Sequence, residues 1–374
     1  MRRRNVRHRL VLLAAVVVAT AGCSIGDIRR RPPTPAPPPA PSSPVASPPD
    51  EVRRVPVPVP RQYATPFVEF ADAEQGYALF TRCGNPEATS APASDCGAIL
   101  LATSDGGRSW RRLRHPEPLA NNHQLYAAGE KLLLLAEPHG WYISNDRGGT
   151  FRREPMSAEP PAAVRTLEGR FQLCCDGEDP PRVVELVGDR LRPVPAQPPV
   201  PGLRVVAFAG GRLVAVGERD GELSAAVSSE AARQWRPMKV APPDGPPAVL
   251  RVVGNHGDVW LIGSAGPGDT RFPQLWRCDQ WCPRVEVPGY PGPVTSLVPL
   301  GAGLLAVTGP DGSGVISAGD DAARYSDVRW PVRNEYLQLL PDGTLFARAS
   351  DGNAWLGSGM FGQRRWIKLV LERT

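Results

Sequence analysis

The chain has 374 residues, 41% of them hydrophobic, with 44 prolines, 38 glycines and a formal net charge of +5. The positive excess equals the five arginines within the first nine residues, and the rest of the chain balances 38 basic against 38 acidic side chains. A basic footprint is therefore absent, which argues against a nucleic acid as partner. The low share of lysine, three among 43 basic residues, is typical of a GC-rich bacterium such as an actinobacterium.

Residues 1–22 are predicted to be a signal peptide. Five arginines precede the apolar stretch LVLLAAVVVATAG, which is short for a membrane span and ends in small residues before Cys23. The ending TAGC resembles the lipobox of bacterial lipoproteins. This resemblance implies that Cys23 is lipidated and anchors the mature protein at the outer face of the cytoplasmic membrane. An ordinary cleaved signal with an incidental cysteine is the alternative.

Residues 23–62 are predicted to be a disordered tether. The stretch RRRPPTPAPPPAPSSPVASPPDEVRRVPVPVP is dense in proline, which removes backbone donors and favours an extended polyproline II conformation. Such a segment builds no core of its own, so its expected role is that of a spacer between the anchor and a folded domain.

A repeat covers residues 63–374. Each unit contains a glycine followed by an apolar run of strand length, and the steps between these glycines are 53, 40, 42, 46, 46 and 40 residues. The seven glycines are Gly76, Gly129, Gly169, Gly211, Gly257, Gly303 and Gly343. Further strand-like segments lie on either side of each run. Four short antiparallel strands per unit predict an all-β fold, a seven-bladed β-propeller, with six or eight blades as alternatives.

Two stretches share a motif and lie between the third and fourth strands of their units. TSDGGRSW and SNDRGGTF resemble the Asp-box, or BNR repeat, of sialidases and of many non-enzymatic propellers. The matching residues are Thr103, Asp105, Gly107, Ser109 and Trp110 in the first stretch and Ser144, Asp146, Gly148, Thr150 and Phe151 in the second. The carboxylate accepts N–H groups of the turn, glycine allows positive φ and the aromatic ring packs beneath. Degenerate copies end at Trp235, Trp330 and Trp366, so we interpret the motif as structural.

The cysteines indicate an oxidising compartment. Six remain besides Cys23, an even number in an exported chain. Cys83 is predicted to pair with Cys96 across an insertion in the first blade. Cys278 and Cys282 are predicted to close the turn RCDQWC, which replaces the Asp-box in the fifth blade. Cys174 and Cys175 are adjacent, which leaves a vicinal bridge and free thiols both open. Their spacing does not match a zinc site, and no metal is predicted.

Catalytic chemistry has little support in the sequence. Resemblance to sialidases implies an arginine triad, but the nearest matches are RRVP at Arg53–Pro56, inside the tether, and VRWP at Val328–Pro331, on an outer strand. The histidines form no His-x-x-x-His motif and no recognisable triad. We therefore predict no catalytic residue, no cofactor and no enzyme.

A second resemblance concerns FADAEQGYAL at Phe70–Leu79 together with the Asp-boxes. It is similar to the BNR propellers of the photosystem II assembly-factor kind, which implies a non-enzymatic binding or assembly scaffold. The prediction is a membrane-anchored extracytoplasmic propeller that binds a protein or glycan ligand. The alternative is a degenerate sialidase-like glycoside hydrolase.

The expected binding surface lies on the loops between second and third strands and on the links between blades. These segments are long and rich in proline, which stiffens them and lowers the entropic cost of presenting a surface. Arg271, Phe272 and Tyr290 are the candidate ligand-binding residues there, because they combine charge with aromatic area. The tight turns at the opposite end of each blade are expected to provide little surface for binding a partner.

Overall fold

The computed structural model describes residues 51–83, 96–157, 160–174, 181–228, 232–266, 271–290, 292–319, 323–333, 335–360 and 363–374. They belong to one unit, Ala46–Thr374, and a second unit, Met1–Val45, lies outside the described residues. The predicted signal peptide, Cys23 and the tether up to residue 50 are therefore not described. Among the described helices none is long and apolar enough to cross a membrane.

The described strands form seven separate sheets in chain order. Sheet one contains β2 (Phe67–Phe70), β3 (Gly76–Arg82), β4 (Cys96–Thr103), β5 (Arg111–Leu113) and the short β6 (Leu119–Ala120), and sheet two contains β7 (Asn122–Ala128), β8 (Lys131–Glu137), β9 (Gly140–Ser144) and β10 (Arg152–Glu154). Sheet three contains β11 (Phe171–Cys174), β12 (Arg182–Val187) and β13 (Arg190–Pro193), preceded by helix α1 (Ala162–Glu168). Sheet four contains β14 (Leu203–Ala209), β15 (Arg212–Arg219), β16 (Glu222–Ser228) and β17 (Trp235–Lys239).

The remaining three sheets repeat the same order of strands. Sheet five contains β18 (Val249–Asn255), β19 (Asp258–Ser264), β20 (Gln274–Cys278) and β21 (Arg284–Val285), and sheet six contains β22 (Ser296–Gly301), β23 (Leu304–Gly309), β24 (Gly312–Ala318) and β25 (Ala323–Asp327). Sheet seven contains β26 (Tyr336–Leu339), β27 (Leu345–Arg348), β28 (Ala354–Ser358) and β29 (Arg365–Arg373), joined by β1 (Glu51–Val57) from the start of the fold.

The seven sheets are the blades of a β-propeller, as the sequence predicts. Consecutive strands in a blade pair antiparallel, except that β6 pairs with β4, and the first strands of most adjacent blades lie against one another around the centre. Most of the glycine-led apolar runs are second strands. In β3, β8, β15, β19 and β23 five or six residues are buried in succession, because these strands are covered on both sides by neighbouring blades.

The third blade departs from the predicted pattern of four strands. Its described part has three strands, and α1 precedes β11 at the chain position where other blades have their first strand. The segment AAVRTLE follows Pro161 and consists mostly of good helix formers, which favours a helix over a strand. The side chain of Gln172 fixes the end of this helix by donating to the carbonyls of Arg165 and Gly169, at 2.6 and 2.9 Å.

The fold starts earlier than the sequence suggests. Residues 51–57, assigned above to the tether, form β1, which pairs parallel with β29 from Glu51 opposite Ile367 to Val57 opposite Arg373. This corrects the boundary at residue 62. Proline is tolerated in β1 because the strand is at the edge of its sheet, with one side unpaired. Its inward side chains alternate with exposed ones, so Val55 and Val57 are buried.

Hydrophobic clusters between adjacent blades make up the core. The cluster that joins the last blade to the first contains Val57, Phe70, Phe346 and Leu369, with the rings of Phe70 and Phe346 5.6 Å apart. An ion pair between Arg348 and Glu69 spans the same junction at 2.6 Å. The ring is therefore closed by both apolar packing and charge.

Candidate functional site

The blades present two faces with different loops. We call the turn face the end that carries the connections from first to second and from third to fourth strands. The link face is the opposite end, with the loops between second and third strands and the links from blade to blade. Both motif turns are on the turn face, whereas Arg271, Phe272 and Tyr290 are on the link face.

The turn at 103–110 is held by side chains of its own motif. The carboxylate of Asp105 accepts from the N–H groups of Arg108 and Ser109, at 2.9 and 3.0 Å, and from the Ser109 hydroxyl at 2.6 Å. Thr103 donates its hydroxyl to Asp105 at 2.7 Å and accepts from the N–H of Gly107 at 3.0 Å. Gly107 has φ +79 and a Cβ there would lie 2.9 Å from Leu369, so the position requires glycine.

The turn at 144–151 repeats this arrangement. Asp146 accepts from the N–H of Thr150 at 2.9 Å and from its hydroxyl at 2.7 Å. Ser144 donates to Asp146 at 2.7 Å and accepts from the N–H of Gly148 at 2.8 Å. Phe151 is half-buried against the cluster between the first two blades. In the first turn Trp110 has the same place and meets Phe70 edge-on at 6.3 Å.

These hydrogen bonds keep both carboxylates ionised. Partial burial raises the pKa of Asp105, but the bonds from Ser109, Thr103 and Arg108 outweigh it and the pKa is about 2. The backbone N–H of Thr150, followed by the hydroxyls of Ser144 and Thr150, lowers the pKa of Asp146 to about 2. Both oxygens of each carboxylate accept hydrogen bonds within the turn, so the geometry is that of a structural turn rather than of a general acid.

Two degenerate copies keep their tryptophan at the start of the fourth strand. The Trp235 indole donates to the carbonyl of Ala196 at 2.7 Å, and Trp366 is buried in β29. The prediction for the sixth blade is wrong: Val328–Pro331 lies after β25 and outside any strand, so Trp330 is not in the turn between β24 and β25, and it packs instead against Trp366 with the rings 5.6 Å apart. In the fifth blade a disulfide joins Cys278 to Cys282, as predicted.

The other cysteine predictions have separate outcomes. The predicted bridge between Cys83 and Cys96 is present, at the edge of an insertion, 84–95, that is not described. Cys174 is disulfide-bonded, and Cys175 lies outside the described residues.

The link-face residues come together in space. Arg271 and Phe272 line a cavity of about 320 Å³ with the proline-rich link at Pro246 and Pro247. Tyr290 is not in the wall of this cavity but packs behind Phe272, with the ring centroids 4.9 Å apart.

Tyr290 belongs to an aromatic stack in the junction of the fifth and sixth blades. Its ring meets that of Tyr325 at 5.1 Å, and its hydroxyl donates to the carbonyl of Pro293 at 3.1 Å. Burial, followed by the charges of Tyr325 and Asp311, raises the pKa of Tyr290 to about 12. Tyr290 is thus a half-buried support for Phe272, while Arg271 is exposed.

The turn face carries a larger concavity than its short turns suggest. A cavity of about 900 Å³ lies between the fifth and sixth blades, beside the disulfide-closed turn. Trp281 at the tip of this turn is 50% exposed. Sequence reasoning missed the cavity, because its walls come from three blades, from Arg212 to Ala323, and no short stretch of sequence contains them.

Two histidines meet where the chain passes from the first blade to the second, His115 in the link and His123 in β7. The rings of His115 and His123 are 5.2 Å apart, edge to face. Burial, followed by the neighbouring His123, lowers the pKa of His115 to about 4, and burial also lowers the pKa of His123. Both rings are therefore neutral near pH 7, which suits packing.

The residues that a hydrolase would require do not converge. Arg53 lies in β1 and donates to the carbonyl of Gly106 at 2.9 Å, at a blade junction. Tyr142 donates to the carboxylate of Glu117 at 3.2 Å, but burial, followed by the Glu117 charge, raises its pKa and disfavours a phenolate nucleophile. Within the described ranges no group of three or more His, Cys, Asp or Glu side chains is arranged to hold a metal ion.

Comparison with known proteins gives no family for this chain. No family model matches the sequence, and neither does any curated protein. Among solved structures it is similar to YCF48 from Cyanidioschyzon merolae, with 15% identity and a TM-score of 0.42 over 80% of this chain and 96% of that one. YCF48 bound to a D1 peptide gives the same identity and TM-score over 77% and 91%. Apo AztD from Citrobacter koseri is 15% identical, with a TM-score of 0.41 over 82% and 88%. At these identities the likeness concerns the fold alone.

Proposed function

We propose that the protein is an extracytoplasmic binding scaffold, a rigid propeller that presents its link face to a protein or glycan ligand. In this proposal residues 1–22 are a lipoprotein signal peptide, lipidated Cys23 anchors the chain at the outer face of the cytoplasmic membrane, and the proline-rich segment up to residue 50 is the tether. The turns at 103–110 and 144–151 are Asp-boxes of the BNR kind, with a structural role.

The proposed binding surface is supported by one observation. Arg271, an exposed residue, and the ring of Phe272 line a cavity of about 320 Å³, Tyr290 packs against that ring, and Tyr325 packs against Tyr290. Arginine and aromatic side chains on a rigid support are typical of residues that dominate binding free energy, because little entropy is lost when they meet a ligand.

The surrounding loop is also fixed by hydrogen bonds. Gln274 accepts from the N–H of Asp244 at 2.8 Å and donates to the carbonyl of Gly245 at 3.1 Å, which ties the proline-rich link to β20. Arg204 donates to the carbonyl of Pro247 at 2.8 Å from the neighbouring blade. The cavity walls are thus preorganised, as a binding site requires.

Crosslinking of membrane-bound protein in its host tests the surface. Arg271→Ala should weaken capture of the native ligand, whereas Arg219→Ala, an exposed arginine on the same face of the fourth blade, should not. Tyr290→Phe removes only the hydroxyl and should keep binding. Equal capture by wild-type protein and Arg271→Ala, or crosslinks that map to the turn face alone, would contradict this assignment.

The anchor has its own test. Cys23→Ser should move the protein from the membrane fraction to the soluble fraction, since it removes the lipidated thiol. Wild-type protein that is fully soluble and starts at a residue other than Cys23 would contradict the anchor.

The runner-up, a degenerate glycoside hydrolase, is tested by turnover. A fluorogenic sialoside and a panel of aryl glycosides should remain unhydrolysed by the purified chain. Hydrolysis that a heat-inactivated sample does not show would favour the enzyme over the scaffold.

A further inference from the structure

The cavity on the turn face has a defined set of walls, which we call the Trp281 cavity. Its volume is about 900 Å³ and its polar lining consists of charged and amide side chains around the exposed indole of Trp281. The charged members are Arg212, Asp258, Arg277, Asp279, Arg284 and Glu286. A volume of this size accommodates a ligand of several rings.

The indole is held on a rigid support. Trp281 sits in a turn whose two ends, Cys278 and Cys282, are joined by a disulfide and are 3% and 0% exposed. The N–H of Cys282 donates to the carbonyl of Lys239 at 2.8 Å, and the N–H of Ala241 donates to the carbonyl of Cys282 at 2.9 Å. The turn is thereby attached to the fourth blade, so the ring is presented with little freedom of its backbone.

The arginines of the cavity are engaged by acids. Arg277 pairs with Asp258 at 2.9 Å and donates to the carbonyl of Ala318 at 2.8 Å. The carboxylate of Asp258 also accepts from the N–H of Gly303, which locks the fifth blade to the sixth. These contacts make the floor of the cavity rigid and leave little of its charge uncompensated.

The rim is built from two further ion pairs. Arg212 pairs with Asp279 at 3.4 Å, and Arg284 pairs with Glu286 at 2.9 Å and also with Asp244. The acids of the rim are open to solvent, at 83% for Asp279 and 76% for Glu286, whereas the side chains of Arg212 and Arg284 are 28% and 21% exposed. Three arginines and three acids line the cavity, and their formal charges cancel.

We propose that the Trp281 cavity binds a neutral oligosaccharide. The apolar face of a sugar ring would stack on the exposed indole. The sugar's hydroxyls, each both donor and acceptor, match a lining that contains carboxylates, guanidinium groups and the amide of Gln280. This site would add a second binding face to the proposed scaffold. The inference rests on the proposed function only in assuming that the propeller binds ligands.

The charges disfavour other ligand classes. An anion would meet the exposed carboxylates of Asp279 and Glu286 at the entrance, while the guanidinium groups behind them are already paired. A basic peptide would be attracted to those carboxylates and to the indole face, but Arg212 and Arg284 in the same rim oppose it. A neutral ligand with many hydroxyl groups uses both signs of charge without having to displace an ion pair.

Titration of the full chain with a panel of neutral hexasaccharides tests the proposal. The panel contains oligomers of glucose, N-acetylglucosamine, mannose, galactose, xylose and arabinose, with hexalysine as the basic probe, and binding is followed by tryptophan fluorescence and calorimetry. At least one neutral oligomer should bind, and Trp281→Ala should weaken it roughly tenfold, about 1.4 kcal/mol. Trp281→Phe keeps a ring and should retain most of the affinity.

Two variants serve as controls. Tyr336→Ala removes an aromatic side chain that is 69% exposed and lies outside the cavity, and it should bind as the wild type does. Glu286→Gln removes a rim charge but keeps a polar group, so a neutral sugar should lose little affinity, whereas a basic peptide should bind more weakly. Raising the ionic strength should likewise weaken the binding of a basic peptide and leave the affinity for a neutral sugar nearly unchanged.

Three results would overturn the proposal. They are the absence of binding by every hexasaccharide, unchanged affinity in Trp281→Ala, and binding of hexalysine alone at Trp281. Sugar binding that is lost in Arg271→Ala but kept in Trp281→Ala would place the ligand on the link face. That result would support the proposed scaffold and reject the Trp281 cavity.

Discussion

Strand β1 joins the start of the fold to the last blade. Truncating one buried side chain in this strand should therefore lower the stability of the whole propeller. Val57 is 1% exposed in the cluster between the last and first blades, whereas Val52 in the same strand is 51% exposed. Val57→Ala and Val52→Ala are therefore chemically identical changes at a buried and an open position.

The expected magnitude follows from burial. Removing two buried carbons from Val57 costs about 1.6 kcal/mol in transfer free energy, and the remaining cavity raises the loss to about 2 kcal/mol. Val52→Ala should cost less than about 0.5 kcal/mol, the usual range for an open surface site. Because both variants lose the same intrinsic strand preference, their difference isolates the docking of β1.

Urea unfolding of the full chain, followed by far-ultraviolet circular dichroism, measures this difference. Val57→Ala should lower the midpoint with an unchanged dependence on denaturant, because the surface exposed on unfolding stays the same. Equal midpoints for the two variants would refute the inference that β1 is a structural strand of the last blade. The segment 51–57 would then behave as part of the tether.

Two further predictions concern the turns and the histidine pair. Asp105→Ala should destabilise the fold by about 1 kcal/mol in urea unfolding, through lost turn hydrogen bonds, and should leave ligand capture unchanged. Loss of binding at unchanged stability would instead make that carboxylate functional. Since the pKa of His115 is lowered to about 4 from an ordinary 6.5, the unfolded chain binds more protons between these values. Stability should therefore fall by about 3 kcal/mol as the pH drops from 6.5 to 4, and His115→Gln should flatten this part of the profile. If His115→Gln lost as much stability as the wild type over this pH range, His115 would not be the group responsible.

The sequence predicted those parts of the fold that repeat. The strands after Gly76, Gly211 and Gly303 are buried on both sides, so their side chains are apolar without interruption and stand out from the polar turns. The two predicted disulfides could also be inferred from the sequence, because each pair flanks one loop of one blade.

The parts that do not repeat escaped prediction. In β1 the alternation of Val55 and Val57 was hidden by proline, and its partner strand lies at the other end of the chain. Helix α1 has only seven residues, too few for a helical period to show. The pairing of His115 with His123 depends on how a link folds back, and spacing alone does not determine that.

Ring closure by β1 also fixes where the preceding segment joins the fold. Glu51 pairs opposite Ile367, two residues after β29 begins at the turn face, and Arg53 reaches the turn-face carbonyl of Gly106. The chain therefore enters the propeller at the rim of the turn face, in the last blade. Arg271 and Phe272 are on the opposite face, and the Trp281 cavity is in the fifth and sixth blades. Glu51, the first described residue of the fold, thus lines neither of the two proposed binding surfaces.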